Sequence, residues 1–173
     1  RSHQLAAQAK AQRVELDVHA PADRAVARDL ALGADVLIEG FRPGVLARLG
    51  LDPHELVGAN PSLICCSLPG FGSDDERAGL AGWELIVSAA GGLYRSGSWF
   101  SPSEDPVYSA VPLASGFAAF TAAHAVVAAL LARRRDGRGQ RIEVPLFDSL
   151  FQLYGHFATG PVGAPPAGPP AMA

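Results

Sequence analysis

Apolar and polar positions along the chain fall into alternating strand-like and helix-like runs. Val14-Glu15-Leu16-Asp17-Val18 alternates with period two, the mark of a half-buried strand. From Pro21 to Gly33, apolar residues at Ala22, Val26, Leu30 and Ala31 approach helical spacing. Val36-Leu37-Ile38 reads as a buried strand, and Pro43 to Leu49 as a short helix closed by Gly50. Asp52-Pro53-His54-Glu55 supplies an N-cap, a proline at the first helical position and an acid at the third, so a second short helix runs toward Asn60-Pro61. Leu63 to Leu68 is a third strand. The loop after it, Pro69 to Gly82, carries the acidic run Asp74-Asp75-Glu76, expected as solvated surface. Trp83 to Leu93 reads as a helix ending at Gly91-Gly92, and Tyr94 to Pro106 as a loop rich in Ser and Pro. A long apolar helix, a turn at Asp136-Gly137-Arg138-Gly139, a strand from Arg141 to Val144 and a helix from Leu146 to about Phe157 complete the series.

Strands separated by helices imply a mainly parallel sheet with right-handed crossovers, an open α/β fold. Ligands of such sheets bind beyond the carboxyl ends of the strands. Those ends are the loops after Val18, Ile38 and Leu68. Gly160 to Ala173 holds five Pro and three Gly in fourteen residues, so residues 1–159 are expected to form the folded part and 160–173 a linker or tail.

Ala110 to Ala132 contains no Asp, Glu, Lys or Arg over 23 residues and is followed by Arg133-Arg134-Arg135, long enough to span a bilayer. Its Ala-rich composition, with Ser115, Gly116, Thr121 and His124 inside and strand patterns on both sides, favours the buried core helix of a domain over a membrane span. His124 and His156 are then expected to be satisfied core residues.

Composition narrows the partners. The 173 residues are 49% hydrophobic and 18% charged, globular values sufficient for one core. With 14 basic and 17 acidic residues the net charge is −3, which provides no broad basic field for nucleic acid. Cys65 and Cys66 are neighbours that a strand points to opposite faces, so they make no disulfide framework and suit a reducing cytoplasm. No Cys/His spacing suggests zinc, and Asn60-Pro61-Ser62 is void as a glycosylation site because Pro61 fills its middle. The start, Arg1-Ser2-His3-Gln4, has neither an initiator Met nor an apolar signal core, which suggests a fragment.

Walker-type, dinucleotide-type and nucleophile-elbow signatures are absent. Chemistry concentrates instead in Glu39-Gly40-Phe41-Arg42-Pro43-Gly44-Val45-Leu46-Ala47-Arg48, directly after a strand. If Pro43 opens the helix, free backbone N–H groups beside the Arg42 guanidinium make an anion site; Arg48 adds charge and Phe41 a face for a purine. A glycine-flanked turn with a solvated arginine explains the same residues equally well.

Four runs together are more specific: Ala34 to Gly44, Asn60-Pro61-Ser62-Leu63-Ile64, Gly70-Phe71-Gly72, and Gly137-Arg138-Gly139-Gln140-Arg141-Ile142-Glu143-Val144. In this order they resemble the family III CoA-transferases, which include formyl-CoA transferase, carnitine CoA-transferase and the α-methylacyl-CoA racemases. The resemblance runs from about Val14 to Phe157. It implies part of the family's large domain, an open Rossmann-like α/β sheet with flanking helices, binding coenzyme A as the moiety of an acyl-CoA. It also implies a homodimer, or association with another domain of the same family. Family chains are more than twice this length, so the opening strand and helix, part of the CoA site and the smaller domain are expected to be missing.

Carried over by position, Phe41, Arg42, Val45 and Arg48 fall where the family holds the adenine and phosphates of CoA. Leu16 and His19 occupy a segment where relatives read Leu-Asp-x-Lys, and Gly40 replaces the usual Asn. An imidazole carries less positive charge than an ammonium near neutral pH, so His19 weakens that contact.

Counting back from Gly137, the Asp that attacks the thioester in the transferases aligns with Ser115. A carboxylate displaces CoA to form an anhydride and then an enzyme-CoA thioester. A serine needs an adjacent base and would give an unactivated ester. Ser115 is thus either a serine of altered mechanism or a small residue packing at a helix start. Glu84 falls where the family carries a second acid facing the thioester; at a helix N-terminus it suits a charge stabiliser, or is simply a helix-start acid. Trp83 stands where racemases place a His. The expected function is CoA transfer between carboxylic acids, impaired at Ser115; the alternatives are a non-catalytic CoA-binding or structural half of a larger enzyme, and a racemase.

Overall fold

The structure, a computed structural model, describes residues 12–94 and 108–158. Its elements in chain order are α1 (Pro21–Leu32), β1 (Val36–Glu39), α2 (Val45–Arg48), α3 (Pro53–Ala59), β2 (Ile64–Ser67), α4 (Glu84–Ala90), α5 (Leu113–Asp136), β3 (Arg141–Glu143) and α6 (Leu146–Ala158). The three strands form a parallel sheet in the order β1-β2-β3, with Val36 opposite Ile64 and Cys65 opposite Arg141. This is the open α/β sheet with flanking helices that the alternation of patterns predicts.

Period-two geometry sends the side chains of β2 to opposite faces. Cys65 packs with Ala31 of α1, Leu46 of α2 and Leu56 of α3. Cys66 packs with Ala122 of α5 and Val144 after β3. A third cluster joins Phe71, Val87 of α4, Ala114 and Ala118 of α5, and Leu150 of α6. The sheet is therefore a middle layer, with α1 to α3 on one side and α5 on the other.

The Asp52 signal holds: its carboxylate accepts from the His54 N–H at 2.9 Å, and Pro53 opens α3. Asn60, at the end of α3, donates from Nδ2 to the Leu32 carbonyl at 2.9 Å, tying α3 to α1. Gly137 ends α5 at φ +73°, a conformation glycine adopts without cost. Gly139 is required for a different reason. A Cβ there would lie 2.0 Å from the Leu63 carbonyl oxygen, and its N–H donates to the Pro61 carbonyl at 2.7 Å. Arg133 gathers the opposite end of the sheet, donating to the Asp35 carboxylate at 2.8 Å and the Ser62 carbonyl at 3.0 Å.

Several expectations are corrected. Val14 to Val18 forms no strand among the described residues, and Val14 is exposed, because alternation makes a strand only where another strand can pair with it. The turn after Phe41 puts Gly44 at φ +76° before the helix, so α2 starts at Val45 and Pro43 is not its first residue. The helix predicted over Trp83 to Leu93 is shorter, with Trp83 as an exposed N-cap and Leu93 and Tyr94 buried beyond its end. The long helix is buried along one stripe only, through Ala114, Ala118, Ala122 and Ala129. Phe120 at 69% exposure, Val127 and Leu131 face outward, so α5 is not buried all round. It is long and apolar enough to cross a membrane by length and composition alone, as the buried helix of a folded domain also can be. His124 lies on that outer side, its Nδ1 donating to the Phe120 carbonyl at 2.7 Å: satisfied, but not core. The side chain of His156, most of the loop after Tyr94 and the tail over 160–173 fall outside the described residues.

Candidate functional site

A cleft of about 230 Å³ opens beyond the carboxyl ends of the strands, where Glu39 of β1, Ser67 of β2 and Glu143 of β3 reach its wall. Phe41, Arg42 and Gly44 from the turn after β1 line one side; Asp52 and His54 at the start of α3, with Arg141, line another. This is the crevice that parallel α/β sheets offer to ligands, because helix starts and loops converge where the strands end.

The turn is more occupied than its sequence suggests. The Phe41 N–H donates to Glu39 Oε2 at 2.7 Å, and the Val45 N–H closes the turn on the Arg42 carbonyl at 3.1 Å. The expected row of free backbone donors next to Arg42 is therefore partly spent, and a four-residue helix preceded by Gly44 adds little dipole. Arg42 itself is not simply solvated: Nη1 donates to the Gly79 carbonyl at 3.0 Å. Arg48 folds back toward Gly44, with Nη1 3.6 Å from where a Cβ would stand. Phe41 is 47% exposed, with ring surface available to a ligand.

The loop that receives Arg42 is closed at its neck by two glycines. A Cβ on Gly70 would lie 2.2 Å from Gly82 Cα, so only glycines permit this backbone approach. Within it, Asp75 pairs with Arg77 at 2.6 Å. The Arg77 guanidinium covers the rings of Phe71 and Phe147, 4.8 and 4.1 Å from their centroids. Arg77 holds the Asp75 carboxyl down to about 2 by hydrogen bonding and charge. The acidic run is thus solvated at Asp74 and Glu76 but paired at Asp75. Glu143 anchors the loop's start, accepting from the Ser73 N–H at 2.6 Å and its hydroxyl at 2.8 Å. Burial among the carboxylates of Asp74, Asp75 and Glu143 pushes Asp148 up.

Glu84 and Ser115, 31 residues apart, meet directly. Glu84 Oε2 accepts from the Ser115 hydroxyl at 2.6 Å and its N–H at 2.9 Å, while Oε1 accepts from the Ala114 N–H at 2.8 Å. Ser88 Oγ adds a longer contact at 3.3 Å. Pro112, the N-cap of α5, provides no capping side chain. Glu84 supplies the cap from another helix, and its charge lies at the positive end of both α4 and α5.

The remaining expected site residues are not gathered there. Leu16 is half-buried and His19 exposed; the His19 N–H donates to Asp17 Oδ1 at 2.9 Å, and neither residue lines the cleft. Gly40 and Val45 flank the cleft-lining turn without entering the wall. Sequence reasoning missed Arg141 and His54, whose Nη1 and Nδ1 stand 3.0 Å apart, and it missed the tie between Glu143 and Ser73. The only signal for His54 was its place one residue after Pro53 in a capped helix that starts beside a strand end. The described residues contain no group of three His, Cys, Asp or Glu side chains able to hold a metal ion.

The open parallel α/β sheet carries a mixed-charge, aromatic-edged cleft at its strand ends, the place where sheets of this kind bind ligands. The chain belongs to CoA-transferase family III, whose family model matches residues 5–169. It is 37% identical over 142 residues to the CoA-transferase/lyase DddD of Marinomonas sp. (strain MWYL1), covering 80% of this chain and 17% of that protein. Succinate–glutarate CoA-transferase of Agrobacterium fabrum is 36% identical over 132 residues, covering 76% of this chain and 32% of that protein. A CAIB/BAIF family protein from Brucella suis superposes with a TM-score of 0.74 at 34% identity, over 83% of this chain and 37% of that one. The chain thus spans about a third or less of the length of these two curated relatives.

Proposed function

We propose that this chain binds the CoA moiety of an acyl-CoA as part of a family III CoA-transferase, and that its capacity to transfer CoA between carboxylic acids is impaired at Ser115. Membership of the family supports the substrate class. In this reading Phe41 receives the adenine, Arg42 and Arg48 the phosphates, and Leu16, His19, Gly40 and Val45 flank them.

The contact between Ser115 and Glu84 carries the argument for impairment. The acid that would form the anhydride is replaced by a hydroxyl already donated to Glu84 at 2.6 Å. Taking that proton would oblige Glu84 to give up the charge that two backbone N–H groups and two hydroxyls hold in place. An ester at Ser115 would also lose the activation of a thioester. Glu84 therefore organises the start of α5, and the family's charge-stabilising role remains its proposed part toward a thioester.

The test is CoA exchange between a labelled acyl-CoA and a free carboxylic acid, alongside direct titration with CoA. Saturable CoA binding with negligible exchange supports the proposal. Exchange at rates ordinary for an enzyme would defeat the impairment, and absence of CoA binding would defeat the reading as a whole. Ser115→Asp separates two versions: restored turnover marks a site intact except for its nucleophile.

A second reading, a non-catalytic half that completes a partner domain, draws on the outward apolar side of α5 at Phe120, Val127 and Leu131. Association with a second copy or another family III domain in a reducing cytoplasm belongs to both readings. A racemase is disfavoured, since Trp83 and Ser115 replace both proton-transfer partners.

A further inference from the structure

Arg42 is held at both ends. Its backbone is fixed by the turn after β1, where the Phe41 N–H donates to Glu39 and the Val45 N–H to the Arg42 carbonyl. Its tip is fixed from 37 residues away: Nη1 donates to the Gly79 carbonyl at 3.0 Å. A guanidinium carries several N–H donors in one plane, so a carbonyl that takes one of them orients the rest. What Arg42 presents at the cleft therefore depends on where the loop puts the Gly79 carbonyl.

That carbonyl stands in a loop folded as successive turns, in which the N–H groups of Asp75, Ala78 and Leu80 donate to the carbonyls of Gly72, Asp75 and Arg77 at 3.1, 2.9 and 2.8 Å. Gly79 lies inside the last of them, the turn that Arg77 opens. The Arg77 side chain is engaged within the protein. Its Nε and Nη2 hold the Asp75 carboxylate oxygens at 2.8 and 2.6 Å, and its face covers the buried Phe71 and Phe147 of α6. A bidentate pair stacked on aromatic rings is a clamp rather than a ligand group, and it seats the last turn of the loop on α6. Glu143 and Ser73 seat the first.

We infer that Arg77 is a positioning residue for the arginine of the cleft: it fixes the Gly79 carbonyl, and that carbonyl fixes the Arg42 guanidinium. The relay runs from Phe147 of α6 through Arg77 and Gly79 to Arg42. A guanidinium held before binding loses less rotamer freedom when an anion arrives, so the clamp raises affinity without touching the ligand. The inference rests on the proposed CoA binding, in which Arg42 meets a phosphate, and adds the device that orients it.

Two readouts on the full chain test it. NMR of the Arg42 guanidinium, assigned by loss of its signals in Arg42→Lys, should show hindered rotation in the native chain and free rotation in Arg77→Met, with no ligand present. Titration with CoA should find affinity lowered about threefold to tenfold in Arg77→Met, the effect of freeing one immobilised side chain. The same substitution made in Arg42→Ala should cost nothing further, because the two residues act in series. Arg77→Lys, which keeps a charge over the rings and loses the bidentate pair, should show smaller losses in both readouts, and it carries the test where Arg77→Met does not fold. Free rotation of Arg42 in native protein, or an equal loss of affinity from the Arg77 substitution with and without Arg42, would overturn the inference and leave CoA binding intact. A held Arg42 in a chain that binds no CoA would overturn the CoA reading, and with it the affinity role of Arg77.

Discussion

Ser115 donates its hydroxyl to Glu84 Oε2 at 2.6 Å, and the same carboxylate receives two backbone N–H groups from the first turn of α5. A residue expected beside a reacting thioester is thereby also the cap of the longest described helix. Chemistry and stability are joined at one side chain.

Replacing Glu84 should therefore cost stability. In Glu84→Gln one amide oxygen can still accept, but the amide nitrogen opposes a backbone N–H of α5. Loss of a charged cap of this kind costs about 1–3 kcal/mol. Urea unfolding should show a lower midpoint with an unchanged slope; an unaltered midpoint would show that α5 does not depend on this carboxylate.

Ser115→Asp places a second carboxylate against Glu84, where the native hydroxyl stands 2.6 Å away. Like charges at such a distance repel, so this variant should be less stable at pH 8 than at pH 5, where one of the two acids can keep a proton. Thermal melts at the two pH values, compared with native protein, measure the effect. A pH dependence identical to native would mean that the new carboxylate turns away from Glu84.

Gly139→Ala should be among the most damaging single methyl additions. Its Cβ would stand 2.0 Å from the Leu63 carbonyl oxygen, and backbone on both sides must move to admit it. Overpacking of this kind costs about 1–3 kcal/mol or more, and here it opens the junction of β2 with β3. Amide exchange in β2 would report the loosening.

Asp75 provides a pH test. Its folded pKa, about 2, lies below the ordinary carboxylate value because Arg77 hydrogen-bonds the charged form. The pairing thus stabilises the fold fully above the ordinary value near 4 and is lost as pH falls through about 2. Carboxyl NMR titration should find the Asp75 midpoint near 2 in native protein and near 4 in Arg77→Met.

Cys65 and Cys66 should react slowly with a thiol reagent in the native state and quickly in denaturant. Both are buried, and burial pushes both thiols up, leaving little thiolate near pH 8. Rapid labelling of either cysteine without unfolding would contradict the packing of β2 between two helical layers.

Local patterns in the sequence were enough to establish the parallel α/β order, the Asp52 cap of α3, the opposed faces of Cys65 and Cys66, and the family. Each depends on neighbours along the chain: strand period, cap spacing, or a run of motif residues. Only the tertiary structure decided that Val14 to Val18 makes no strand, that α5 leaves Phe120 outside, that Glu84 caps a helix 30 residues away, and that Arg141 meets His54 at the cleft wall. Those outcomes turn on which distant groups arrive within hydrogen-bonding or van der Waals reach. A hydrogen bond or a buried face needs its partner in space, and periodicity along one segment carries no record of that partner.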